Sequence, residues 1–248
     1  PYGVEYDPAW REKAGVAASG TAKGKVLNDD KADWREAWAL FPGDVAYVWH
    51  AGLYAGVVGD SLAACDLMLR SQIIWDKGLF SVGRSWYHWN HEPCVVVRRP
   101  GVPNLFIGER DQATIWRAPS PKRIGGGSKE QKEDHPTQKP VLLSEIPIRN
   151  HLRPGEAVYE PFSGSGSQIM AGEANDRRVF AMEISPAYID VAVERWQAET
   201  GRDAILDGDG RPFAAVKSER LGDDAEAPAE TSDANADPEP TRKRKSAA

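Results

Sequence analysis

Apolar positions along the chain change their period several times. Asp44 to His50 (DVAYVWH) is a short β-type run, Leu53 to Arg70 carries apolar residues at helical spacing, and Ser71 to Asp76 (SQIIWD) returns to a strand pattern. Cys94 to Val97 (CVVV) predicts a further strand. A helix follows over Val141 to His151, interrupted by Pro147, then a strand over Glu156 to Glu160, a helix from Ser167 and a strand over Val179 to Glu183 (VFAME). The next helix has a defined start, with Ser185 as cap, Pro186 in the first turn, and Ile189, Val193 and Trp196 on one face. Residues 203 to 216 read as two short strands around a glycine-containing turn. Such alternation predicts an α/β fold, a mainly parallel sheet with helices on both faces.

A chain of 248 residues is long enough for one main α/β domain without disulfides or metal. That domain is expected over residues 1 to 216. Residues 217 to 248 lack large apolar side chains after Leu221, alternate Ala, Pro, Asp and Glu, and end in a basic run, Arg242 to Lys245, which reads as a disordered, solvating tail. Cys65 and Cys94 each sit in an apolar stretch, as buried thiols in a reducing cytoplasm do. No run approaches the length needed to span a bilayer and no leader pattern opens the chain, so a soluble, cytoplasmic protein is expected.

The net charge of -6 argues against indiscriminate coating of nucleic acid. It hides a reversal. Between Arg98 and Lys139 nine basic residues face five acidic ones, which suits either local contact with a polyanion or a solvated loop.

The strongest local feature is Val158 to Ser167 (VYEPFSGSGS), a strand running into a small-residue loop and then a helix. Glycines at 164 and 166 let backbone approach a ligand at the carboxyl edge of a parallel sheet. Glu183 ends the next strand, seventeen residues after Gly166, near the spacing at which an acid accepts ribose hydroxyls. Position 169 is Ile, so the dinucleotide glycine pattern is incomplete, and no Gly-Lys-Ser/Thr triplet grips a phosphate. The bland alternative is a tight strand-to-helix connection.

Glu160 to Ser167 resembles the Asp-Pro-Phe-x-Gly-Ser-Gly-Thr cofactor loop of DNA amino-methyltransferases, with Glu for Asp and Ser for Thr. Upstream, His135 to Pro140 (HPTQKP) matches the family element that closes over the methionine end of the cofactor. Pro1-Tyr2-Gly3 resembles the end of the Asp/Ser-Pro-Pro-Tyr catalytic motif, whose first two residues would precede Pro1, so a truncation within that motif is expected. The motif order is that of the beta class. The resemblance covers about residues 1 to 215 and is strongest from His135 to Trp196.

The resemblance implies a Rossmann-like S-adenosylmethionine-dependent methyltransferase fold and methylation of adenine N6 in double-stranded DNA. It implies catalytic roles for Pro1 and Tyr2, Tyr2 offering an aromatic face to an extruded base. Cofactor contacts are expected at Thr137, Gln138, Lys139, Pro140, Glu160, Pro161, Phe162, Ser163, Gly164, Ser165, Gly166, Ser167 and Glu183. Target recognition falls in the basic segment, residues 98 to 134, with Arg98, Arg99, Arg110, Arg117, Lys122 and Arg123 as DNA contacts and Gly125 to Gly127 as a flexible joint. A homodimer and a cognate restriction nuclease are further partners of such enzymes.

Three alternatives stay open. One is cytosine N4 methylation by the same machinery, decided by the residue two places before Pro1. Another is a non-catalytic DNA-binding module keeping a vestigial cofactor loop. The third, a nicotinamide dehydrogenase, is disfavoured by the absent third glycine. His88, His91 and Glu92 are interleaved with Trp86, Tyr87 and Trp89 and lack a cysteine pair, so they read as a pocket lining or sheet packing, with no metal expected. The serines at 163, 165 and 167 do not form a nucleophile elbow, which excludes an acyl hydrolase.

Overall fold

Cys94 to Val97, the last four residues of the buried run Pro93 to Val97, divide the core in two. In an extended strand alternate side chains point to opposite faces. Val95 and Val97 accordingly join Ala37, Trp38, Val48, Val58, Leu62 and Leu67 in one cluster. Cys94 and Val96 join Ile73, Trp75, Trp116, Ala118 and Leu143 in the other. Only a central strand covered on both faces buries such a run.

The computed structural model describes residues 2–4, 27–81, 86–103, 105–121, 130, 131, 133 and 138–222. Two compact units divide at Arg202 and Asp203. In the first, α1 (Arg35–Ala39) precedes β1 (Val45–Trp49), a 3-10 turn (Gly52–Tyr54), α2 (Ala55–Ala63), and the long strands β2 (Met68–Ser81) and β3 (Trp89–Arg98). There follow β4 (Ile115–Arg117), α3 (Leu142–His151), β5 (Ala157–Glu160), α4 (Ser167–Ala174), β6 (Arg178–Ala181) and α5 (Pro186–Thr200). One sheet has the order β1-β3-β2-β4 and a second pairs β5 with β6.

The described pairings divide evenly. β2–β4 and β5–β6 are parallel; β1–β3 and β2–β3 are antiparallel. The antiparallel share comes from the β2–β3 hairpin, which runs beyond the predicted Ser71–Asp76 and Cys94–Val97 segments. Its outer residues, among them Phe80, Trp86 and Tyr87, are exposed and give no burial pattern to read. The helix expected over 53 to 70 stops at Ala63 because Asp66 takes a left-handed conformation (φ 57°), with its N–H on the Ala63 carbonyl and the Leu67 N–H on that of Leu62. Met68 to Arg70 then belong to β2. Pro147 lies inside α3, which continues through it to bury Leu143 and Ile148.

Ile205 and Pro212 form an isolated antiparallel bridge instead of two strands, and α6 (Phe213–Leu221) runs across the expected tail boundary at 217. The remainder of the expected tail lies outside the described residues. Cys65 and Cys94 are free thiols. Among the described residues no helix is long and apolar enough to cross a membrane.

Packing of α4 against β6 needs a missing side chain. A Cβ on Gly172 would lie 2.2 Å from Val179 Cγ2 and 3.1 Å from the Arg177 carbonyl, whereas one on Gly59 in α2 would meet nothing within 4 Å. The same substitution therefore has opposite signs at the two positions. Gly172→Ala is expected to lower stability by about 1–3 kcal/mol, and Gly59→Ala to raise it by about 0.4–1 kcal/mol, as read by urea unfolding.

Candidate cofactor and base site

The parallel ladder of β5 and β6 does not end with the strands. Met182 N–H donates to the Glu160 carbonyl (2.8 Å) and Ser163 N–H to the Met182 carbonyl (2.9 Å). This holds the 161–166 loop beside the chain that leads to Glu183. One Glu183 oxygen accepts Gly164 N–H (2.8 Å) and the other Ser185 N–H (2.9 Å). Both oxygens retain a second lone pair for a ligand. Gly166 adopts φ +76°, and a Cβ there would sit 2.9 Å from Ala192 Cβ, so the turn into α4 and the approach of α5 both require glycine.

Within the loop, the Ser163 hydroxyl is buried with no partner in the structure. A buried hydroxyl without a partner is costly, and a polar ligand on the loop would relieve it. Phe162 faces the other way, its ring edge-on to Trp34 (4.7 Å between centroids) and Trp38 (5.9 Å). It anchors the loop in the first core cluster. Glu160 accepts Phe162 N–H (2.8 Å). Burial pushes its carboxyl up to about 7, against the opposing pull of that hydrogen bond and of Lys139.

The segment before α3 closes against this loop. Gln138 is buried, accepting Glu133 N–H (2.8 Å) and donating to the Gln131 carbonyl (3.1 Å), so it braces its own segment. The Lys139 carbonyl accepts the Ser167 hydroxyl (2.7 Å), and Pro140 is buried. Arg195 of α5 joins the two pieces. It donates to the Ser165 carbonyl (3.1 Å) and the Ser167 hydroxyl (3.3 Å) and pairs with Glu130 (3.7 Å) and Glu133 (3.9 Å). Sequence reasoning missed Arg195, which sits among ordinary polar helix positions. The 130–133 partners give no motif that would have found it.

Tyr2 lies at the same site. Its N–H donates to Asp29 (3.1 Å), its hydroxyl donates to Glu92 (3.2 Å), and Lys139 Nζ lies 4.6 Å from its ring centroid. Lys77 (2.6 Å) and Lys139 (3.7 Å) flank the Glu92 carboxylate. Burial pushes the Glu92 carboxyl up, but the two ammoniums more than reverse this and hold it below the usual range. Burial, and then the Glu92 charge, push the Tyr2 phenol well above its ordinary value. Pro1 and Thr137 lie outside the described residues.

The expected DNA contacts divide. Arg99 turns inward: its guanidinium donates to the carbonyls of Phe41 (2.8 Å), Gly43 (3.1 Å) and Cys65 (3.1 Å), holding the turn before β1 and the end of α2. Arg98 likewise donates to the Val102 carbonyl (2.6 Å). Arg110 and Arg117 are exposed, Arg117 lying 3.6 Å from Asp76. Lys122, Arg123 and the glycines at 125 to 127 lie outside the described residues. A cavity of about 530 Å³ lies between the 107–116 segment and α3, lined by Ile107, Gln112, Trp116, Ile146 and Arg149, and no candidate cofactor residue lines it.

A family profile described as DNA methylase (N6_N4_Mtase) matches residues 48–194, well over half of the chain. The chain belongs to the DNA methylase family. Among its relatives, the type II methyltransferase M2.MboI of Moraxella bovis is 27% identical over 171 residues, covering 63% of this chain and 61% of that protein. DNA adenine methyltransferase YhdJ of Escherichia coli (strain K12) is 28% identical over 124 residues, 50% of this chain and 39% of that protein. The chain thus spans under two thirds of the length of either relative. The solved M1.HpyAVI–SAM complex superposes with a TM-score of 0.55 at 21% identity, over 65% of this chain and 81% of that one. The α/β fold is therefore the Rossmann-like fold of that methyltransferase.

Glu160 makes the site sensitive to pH. With a folded-state value near 7 against an ordinary 4.5, the folded chain keeps a proton that the unfolded chain has lost. The stability this contributes is full below about pH 4.5 and is lost as pH rises through about 7. Glu160→Gln keeps the carbonyl that accepts Phe162 N–H but cannot ionise. Thermal unfolding at pH 5 and pH 8 is expected to show the variant gaining stability relative to the parent at the higher pH.

Proposed function

We propose that this chain carries the cofactor site and the base-stacking tyrosine of a DNA methyltransferase that transfers a methyl group from S-adenosylmethionine to the N6 amino group of adenine in double-stranded DNA. The observation that carries the reading is the meeting at Lys139. Its carbonyl holds Ser167 at the end of the glycine-containing loop, and its ammonium lies over the Tyr2 ring. A candidate base-stacking face thus stands beside a candidate cofactor loop. Family membership supports the reaction class, and the name of the E. coli relative supports adenine.

The chain's polar groups suit such a cofactor. Glu183 offers lone pairs to ribose hydroxyls, the unpartnered Ser163 hydroxyl offers a hydrogen bond, and the loop backbone permits close approach. Bound there, S-adenosylmethionine would supply an electrophilic sulfonium methyl to the amino nitrogen, with Glu183 and the Ser163 hydroxyl as its candidate partners on this chain. The protein's share is positioning. A base must leave the duplex, at a few kcal/mol, and Tyr2 supplies a ring to replace part of the lost stacking. Because Lys139 sits over one face of that ring, the base stacks on the other. Phe162, turned into the core, sets the height of the loop instead of touching cofactor. Of the arginines expected to contact DNA, Arg110 and Arg117 are the described ones whose side chains are exposed for phosphate contact.

The test is transfer of radiolabelled methyl from S-adenosylmethionine to unmethylated DNA by the full-length protein, with identification of the modified nucleoside. N6-methyladenine is expected. N4-methylcytosine would replace adenine by cytosine, and cofactor binding without transfer to DNA would leave a binding module. Tyr2→Ala is expected to slow transfer by about 5- to 150-fold, the equivalent of ~1–3 kcal/mol of stacking.

A further inference from the structure

Glu92 has three partners from three parts of the chain. Its own strand β3 pairs with β2, where Lys77 lies 2.6 Å from one carboxylate oxygen. The other oxygen accepts the Tyr2 hydroxyl (3.2 Å) and faces Lys139 Nζ (3.7 Å). Among the described residues, the other hydrogen bond of Tyr2 is at its backbone, where its N–H meets Asp29 (3.1 Å). Lys139 is tied through its carbonyl to Ser167 (2.7 Å). The carboxylate therefore joins the tyrosine ring to the segment that braces the cofactor loop, and anchors both to the rigid β2–β3 pair.

We infer that Glu92 is a positioning residue, which fixes the Tyr2 ring at both its hydroxyl and its Lys139-covered face so that an extruded base finds a set stacking plane. The inference rests on the DNA-methylation reading above. A free tyrosine ring rotates about two side-chain bonds, and holding the backbone alone leaves the plane of the ring undetermined. The hydroxyl bond removes that freedom, and the ammonium above the ring selects the face that remains for the base. A negative charge is needed, because a neutral acceptor would satisfy the hydroxyl but leave Lys77 and Lys139 repelling each other across it.

The simpler account is that Glu92 only neutralises two lysines. The two accounts differ at Tyr2, which matters for the first and not for the second. The experiment compares wild type, Tyr2→Phe, Glu92→Gln, Glu92→Asp and the Tyr2→Phe/Glu92→Gln double variant in the full-length protein. Single-turnover methyl transfer is measured on a duplex carrying the mapped target site. Base extrusion is read without cofactor, from the fluorescence of 2-aminopurine at the target position, and S-adenosylmethionine affinity by calorimetry.

Tyr2→Phe is expected to slow transfer by about 3- to 10-fold and to weaken the 2-aminopurine signal, and Glu92→Gln to slow it by about 10- to 100-fold, with cofactor affinity held within about 3-fold. Glu92→Asp, which keeps the charge, should recover part of the rate. The double variant should be no slower than Glu92→Gln alone, since the hydroxyl acts through the carboxylate. The inference is overturned if Tyr2→Phe extrudes and transfers like wild type, or if the two effects multiply. Should Glu92→Gln not fold, Tyr2→Phe alone decides. Wild-type protein that methylates no DNA would remove the functional reading, and this inference with it.

Discussion

Alignment of two parallel strands at their carboxyl ends is the constraint on which the site depends. Pairing of β5 with β6 brings Glu160 opposite Ala181, and the ladder then continues through Met182 to Ser163. The loop after β5 cannot wander, because its backbone is bonded to the chain after β6. Gly164 N–H consequently reaches Glu183, and the helix after the loop starts where Ser167 can meet the Lys139 carbonyl. Antiparallel pairing would send the two loops to opposite edges and separate these groups. The close packing at Gly172, where α4 presses on Val179, and at Gly166, where α5 approaches, fixes the same geometry from behind.

Three carboxylates stand around this arrangement, and their surroundings set them apart. Glu183 accepts two backbone N–H groups. Glu92 is held ionised by two lysines. Glu160 has one backbone donor and is raised toward neutrality by burial. The substitution of Glu for the Asp of the family loop falls on this last one. The side chain folds back onto Phe162 N–H, two residues on, a bond that the shorter Asp makes as well. There it caps the start of the loop.

The sequence disclosed most where one physical signal dominated. The strand at Cys94 to Val97 and the helix start at Ser185 and Pro186 were both readable, because strand burial and helix initiation each leave a local pattern, although the Ser185 side chain makes no capping hydrogen bond. The end of α2 was not. Leu67 to Leu69 continue the apolar content of the helix, and only the left-handed turn at Asp66 separates them from it. The far ends of β2 and β3 were equally opaque, since Trp86 and Tyr87 are exposed and their hairpin is held by backbone pairing. At the candidate site, the spacing singled out the loop and Glu183, which the fold brings together. The partners that organise them were not, because Asp29, Lys77, Glu92 and Arg195 lie far from the motifs in sequence and meet them only through the fold.

Charge counting carried a related error. The excess of basic residues between Arg98 and Lys139 includes two arginines whose guanidinium groups are bonded to backbone carbonyls, and a lysine paired inside the site. These groups stay charged and still add to the local positive field. Short-range phosphate contact is different, because it needs donors free to turn outward. On the proposed function, Arg98 and Arg99 thus contribute to the rate of encounter with DNA but not to the register of the bound duplex. On the same proposal that register falls to side chains such as Arg110 and Arg117, which reach solvent from the segment joining β3 to α3. A basic stretch can attract DNA along its whole length while holding it at only a few points.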